Sequence, residues 1–171
     1  MQMSPRIVGL LALAALTAAV AGACEAGPPP ATAPVVPGSS AQPREVNIIA
    51  KDYAFLPDVV DLAPGETVLL HVINGGLEIH EAIIGDARVQ DAWEAAEAAV
   101  AGAPPGPTPV VTVDPARAGL RAVVPSGERV DLTWTVPASP SSAAATVFGC
   151  HIPGHWAKGM RAGLRLTTAG G

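Results

Sequence analysis

Phe148-Gly149-Cys150-His151-Ile152-Pro153-Gly154-His155-Trp156-Ala157-Lys158-Gly159-Met160 places a thiol, two imidazoles and a thioether in one short run. These are soft or borderline ligands, and the combination matches copper better than the other first-row metals. Zinc sites are built from Cys, His or carboxylate, so the thioether of Met160 counts against zinc. The intervals favour convergence. A strand ending at Cys150, a tight Pro153-Gly154 turn presenting His155 and a strand beginning at Met160 would bring three side chains together. A fourth donor has to come from elsewhere, and His71, His80 and His151 are the remaining histidines. His80 is the best placed, because Asn74-Gly75-Gly76-Leu77-Glu78-Ile79-His80-Glu81 runs a Gly-rich loop into a strand, whereas His71 sits mid-strand. The expected metal set is therefore His80, Cys150, His155 and Met160, holding one copper per chain.

Each of these residues has a plainer use when taken alone. A single Met is usually core and a single His usually surface; the joint spacing with Cys150 is what points to a metal. His151 is expected to be an exposed loop residue, because four histidines in the whole chain are too few for a multinuclear cluster. Trp156 admits two readings, a lid over the edge of His155 or a contact at a docking surface. Asp86, Asp91, Glu94 and Glu97 read as the solvated face of a helix. The sequence has no Ser-His-Asp set, no carboxylate pair in a motif, no Gly-rich phosphate loop and no HExxH motif, so an enzyme is not expected.

The elements that must position the donors are strands. Glu45 to Ala50 alternates, and Glu66 to Ile73 follows the turn Pro64-Gly65. Further candidates are Ile79 to Ile84, Val110 to Val113, Leu120 to Val124, Arg129 to Val136, Ala144 to Phe148 and Met160 to Thr167. Short strands separated by Gly and Pro turns, each with one apolar face, predict an all-β sandwich. Asp91 to Val100 carries strong helix formers and no Pro, which predicts a short helical insertion ending at Gly102.

The 171 residues suit one domain with appendages, and 18 Gly and 18 Pro favour loops and strands. With 10 basic against 15 acidic residues and a net charge of -5, no Lys/Arg cluster is available to neutralise a phosphate backbone, so nucleic acid is not an expected partner. Arg6 precedes the uncharged run Ile7 to Ala23, which is short and Ala-rich and reads as an export signal. Its end, Val20-Ala21-Gly22-Ala23-Cys24, fits an ordinary A-x-A cleavage site and also resembles a bacterial lipoprotein signal, in which Cys24 would be lipidated. The lipoprotein reading is preferred. Glu25 to Arg44 contains six Pro in twenty residues and reads as a solvated, semi-rigid spacer. The expected organisation is 1–23 signal peptide, 24–44 Pro-rich tether and 45–171 copper-binding domain. A disulfide between Cys24 and Cys150 is disfavoured by the flexible stretch between them.

The Cys-x4-His-x4-Met spacing with an upstream His on a separate strand resembles the type 1 blue-copper cupredoxins, and the x4/x4 spacing is most similar to rusticyanin. Phe55-x-Pro57, Pro64-Gly65-Glu66-Thr67-Val68 and Val72-Ile73-Asn74 ahead of His80 resemble the first half of plastocyanin/azurin-type domains. The resemblance spans about residues 45 to 168, less the insertion. It implies an eight-stranded Greek-key sandwich, copper held by His80, Cys150, His155 and a weak axial Met160, and one-electron transfer to redox partner proteins through a solvent-facing edge of His155. Glu81 stands where plastocyanins and azurins have Asn, and Gly149 precedes the Cys. Copper storage, delivery or resistance with the same ligands is the alternative role. Export, with a membrane anchor at Cys24 or free in the periplasm, and membrane oxidoreductases as partners complete the expectation.

Overall fold

The computed structural model describes residues 35–101 and 111–167. The expected signal segment and Cys24 lie outside the described residues. In β1 (Arg44–Lys51) the alternation is realised directly, with Val46, Ile48 and Ala50 turned into the core. The other strands are β2 (Ala54–Leu56), β3 (Val59–Leu62), β4 (Thr67–Asn74), β5 (His80–Gly85), β6 (Leu120–Val124), β7 (Arg129–Thr135), β8 (Val147–Gly149) and β9 (Arg161–Leu166). They form a four-stranded sheet, β2-β1-β4-β7, and a five-stranded sheet, β3-β9-β8-β5-β6. Connections that cross between the sheets make the Greek-key sandwich implied by the resemblance, with nine strands rather than eight among the described residues and two parallel pairings, β1 with β4 and β3 with β9. Apolar residues from both inner faces, among them Ile48, Phe55, Leu62, Leu70, Val72, Val124 and Phe148, fill the interior together with Cys150 and Met160.

Several local expectations are corrected. The edge strands β2 and β3, three and four residues long, are not among the expected strands. Residues 111–113 form no strand; Val111 is buried against Ile83 and Trp93 instead. The strand expected from Ala144 begins only at Val147, because Pro140–Ala144 forms a short helix, α2, with Pro at its first turn. The inserted helix α1 (Ala87–Val100) starts earlier than expected, since Asp86 caps it by accepting from the backbone N–H of Arg88 and Val89.

The end of the Pro-rich segment is built into the sandwich. Gly38 N–H donates to Glu66 Oε2 at 3.2 Å, the Gly38 carbonyl accepts from Thr67 N–H at 3.0 Å, and Arg44 pairs with Glu66 at 2.7 Å. Any free spacer therefore ends before Gly38.

Candidate metal centre

Three chain segments meet at one end of the sandwich. His80 opens β5, Cys150 follows the last residue of β8, and Met160 precedes the first residue of β9. The loop between Cys150 and Met160 is closed on itself. Cys150 N–H donates to the Met160 carbonyl at 3.1 Å, extending the β8–β9 ladder by one rung, and Met160 N–H donates to the His155 carbonyl at 3.2 Å. Gly154 and Gly159 supply the left-handed turns this path needs, with φ of 90° and 91°. The x4/x4 spacing is thus a closed loop that holds Cys150, His155 and Met160 by its own backbone bonds.

The structure brings His80, Cys150 and His155 together. One donor atom from each lies within 4.8 Å of the others, and all three residues are buried. His155 Nδ1 is 3.2 Å from His80 Nδ1 and 3.3 Å from Cys150 Sγ. Met160 is fully buried in the same core and joined to Cys150 and His155 through the backbone bonds above.

Both rings present Nδ1 inward, and each Nε2 faces a carboxylate. His80 Nε2 lies 2.7 Å from Asp52 Oδ1, and His155 Nε2 lies 3.0 Å from Glu78 Oε2. Such outer partners fix the tautomer and make imidazole a better donor. The backbone N–H of Leu77, followed by the His80 side chain, holds Asp52 below the usual carboxylate range. The Tyr53 hydroxyl and then His155 do the same for Glu78. Burial lowers His155 below an ordinary histidine, against the opposing pull of Glu78. Asn74 ties the Gly-rich loop down by donating to the carbonyls of Glu78 and Val124, both at 2.8 Å. A Cβ at Gly76 would meet Asp52 Oδ1 and come within 2.9 Å of His80 Nε2, so only glycine lets this loop lie against the Asp52–His80 pair.

The departure at Glu81 has a structural partner set. Its carboxylate is buried, accepts from the backbone N–H of His151 at 3.0 Å, and pairs with Arg121 at 2.7 Å. Arg121 also reaches Glu97 at 3.1 Å and lies over the Trp93 ring at 4.3 Å. Glu97 is therefore buried rather than part of a solvated face, and burial, reinforced by Glu81, raises it above the usual carboxylate range. Glu94 is likewise engaged, 2.8 Å from His151 Nδ1. His151 is 1% exposed, not the exposed loop residue expected from its position. Its Nε2–H donates to Gln90 Oε1 at 2.7 Å, and its ring stacks on Trp156 at 4.6 Å. Trp156 therefore stacks on His151, the neighbour of the thiol. Gly149 is explained by the same packing, since a Cβ there would run into Gln90 and come within 2.8 Å of Trp156.

The edge of His155 is also not the solvent-facing port implied by the resemblance, because the residue is only 3% exposed beneath Glu78 and Tyr53. His71 stands apart in β4, bonded to Asp131 across the β4–β7 pair at 2.7 Å. The partners Asp52, Tyr53, Arg121 and Gln90 gave no signal in the sequence. Glu78, two residues before His80 in a Gly-rich loop, is the one that position alone could have suggested.

The donor set fits a single copper ion. One thiol sulfur and two imidazole nitrogens converge in a buried pocket with a thioether residue beside them, the mixture of soft and borderline donors that copper prefers. Burial pushes the Cys150 thiol up to about 12 in the metal-free protein, while the backbone N–H groups of Glu81 and Ile152 act in the opposite direction. A bound cation would replace the thiol proton.

No family model matches the chain. Among curated proteins, it is 28% identical over 144 residues to the copper-resistant cuproprotein CopI of Pseudomonas aeruginosa, covering 72% of this chain and 77% of that one. Among solved structures, reduced auracyanin of Roseiflexus castenholzii aligns with a TM-score of 0.57 at 19% identity, over 77% of this chain and 100% of that one. Auracyanin A of Chloroflexus aurantiacus, a blue copper protein, gives 0.53 at 22% identity over 73% and 99%. An azurin of Methylomonas sp. strain J gives 0.54 at 18% over 73% and 98%. The match covers nearly the whole of each of these domains, and the chain is a cupredoxin by fold.

Proposed function

We propose that the chain is an exported mononuclear copper protein that carries one electron at a time. The observation that carries this reading is the buried His80–Cys150–His155 cluster, with all three donor atoms within 4.8 Å of one another. His80, Cys150 and His155 would hold the ion, with Met160 as the weak fourth donor, and copper so bound supplies a one-electron couple. The protein contributes rigidity. Asp52 and Glu78 fix the two rings, Glu81 fixes the backbone after Cys150, and the apolar core excludes water. The reading is of a carrier and not an enzyme, with redox partner proteins as its counterparts.

Cys24 completes the proposal as a lipid anchor, supported by Ala21 and Ala23 directly before it and by the Pro-rich stretch after it. Held this way, the domain would meet membrane oxidoreductases within the reach of its tether, at a raised effective concentration. Detergent partitioning and mass spectrometry of the amino-terminal peptide after expression in a lipoprotein-processing bacterium test the anchor; an unmodified Cys24 in an aqueous-phase protein would remove it.

A second reading, copper handling in resistance, storage or delivery, is favoured by the likeness to the copper-resistant cuproprotein and by the closure over His155. Electron self-exchange and Cu(I) transfer to a chelator separate the two. A carrier exchanges electrons quickly and releases copper slowly; the reverse pattern would favour handling.

A further inference from the structure

The closure over His155 is built from three separate segments. The carboxylate of Glu78, from the Gly-rich loop, bridges His155 Nε2 at 3.0 Å and the Tyr53 hydroxyl at 2.6 Å with its two oxygens. Tyr53, from the turn after β1, sets its ring edge-on to His155 at 4.8 Å between centroids. Lys158, from the metal loop itself, places Nζ 3.4 Å from the centre of the Tyr53 ring. The His155 side chain is 4% exposed beneath this layer, whereas that of Glu78 is 51% exposed and forms its outer surface. A solvent-exposed ion pair contributes little to stability, so the arrangement matters more for what it does to the ring below.

We propose that Glu78 and Tyr53 form a clasp over His155 that holds its Nε2–H outward and its Nδ1 lone pair inward, and shields the ring edge from water. The proposal rests on the reading of the cluster as a copper site. Glu78 is a positioning residue: it acts on the ion through His155, by fixing the tautomer and strengthening the donor nitrogen. Tyr53 holds the carboxylate in place, and Lys158 covers the outer face of Tyr53.

The test compares wild type, Glu78→Ala and Tyr53→Phe, the second of which removes only a hydroxyl. Long-range proton–nitrogen NMR of the metal-free proteins reads the His155 tautomer and the exchange of its Nε2 proton. Chelator competition then reads Cu(II) affinity. Wild type should show the Nε2–H tautomer with a slowly exchanging proton. Glu78→Ala should mix the tautomers, speed exchange at least about tenfold and weaken Cu(II) binding by about 10- to 100-fold, the usual cost of losing an outer partner of a ligand. Tyr53→Phe should fall between. An Nδ1–H tautomer in wild type, or a Glu78→Ala protein with unchanged tautomer or with affinity within about twofold of wild type, overturns the clasp. The NMR result is read without metal, so failure of the copper reading itself would appear separately, as the absence of a thiolate-to-copper band in wild type.

Discussion

Glu81 accepts a hydrogen bond from the backbone N–H of His151 at 3.0 Å, joining the residue after one metal-facing histidine to the residue after the thiol, 70 positions away. The bond ties the two halves of the candidate centre together. It also commits a fully buried carboxylate, and Arg121 supplies the compensating charge.

Arg121→Met should therefore be costly. Removing one partner of a buried pair leaves an uncompensated charge, typically a loss of about 3 to 5 kcal/mol; the partial exposure of Arg121 favours the lower end. Arg165→Met, which breaks the exposed pair with Asp61, should cost less than about 1 kcal/mol. Urea denaturation of the metal-free proteins checks both, and equal losses would contradict the role given to Glu81.

His151→Ala should destabilise the fold by about 2 to 4 kcal/mol, because it opens a cavity under Trp156 and leaves Gln90 Oε1 without its donor. One-copper stoichiometry should survive, since His151 turns its ring towards α1. Denaturation midpoints and metal analysis read the two effects separately.

The contrast between these predictions and the plainer reading of the sequence has a physical cause. The loop from Cys150 to Met160 is legible because its donors are local and its turns are marked by Gly and Pro. His80 is legible from the Gly-rich approach to β5. The residues around them are not, because Asp52 reaches His80 across 28 positions and Glu78 reaches His155 across 77. No local pattern encodes such pairs. For the same reason Glu94 and Glu97 pass for a solvated helix face until α1 is docked and Arg121 is found beneath it. β1 followed from its alternation, whereas β5 is buried at five of its six positions and β2 and β3 are too short to give a signal.

Metal uptake should release a proton from Cys150. The metal-free thiol sits at about 12, so it is protonated at neutral pH, and apparent affinity should rise by about tenfold per pH unit between about pH 7 and 9. The same shift affects the metal-free fold with a definite sign. A thiol raised above its unfolded value of 9.0 stabilises the folded state below that pH, and this contribution is lost as pH rises through the folded value. His155, lowered by burial, acts oppositely: its contribution is present above the unfolded value of 6.5 and is lost on acidification. Competition titrations between about pH 7 and 9 check the affinity, and denaturation midpoints below the ordinary histidine value of 6.5 and above the ordinary thiol value of 9.0 check the two stability terms; an affinity independent of pH would rule out the thiol as a ligand.

Met160→Leu should keep the copper and raise its reduction potential, because loss of a weak thioether donor destabilises Cu(II) more than Cu(I). Voltammetry of the two proteins reads the shift. An unchanged potential would reduce Met160 to a core residue, consistent with its complete burial but not with a ligand.

The most direct test is a Cu(II) titration followed in the visible range, on wild type and on Cys150→Ser. Wild type should give an intense thiolate-to-copper band that saturates at one equivalent, and Cys150→Ser should lack it. A colourless wild-type complex, or binding that is indifferent to Cys150→Ser, would contradict it.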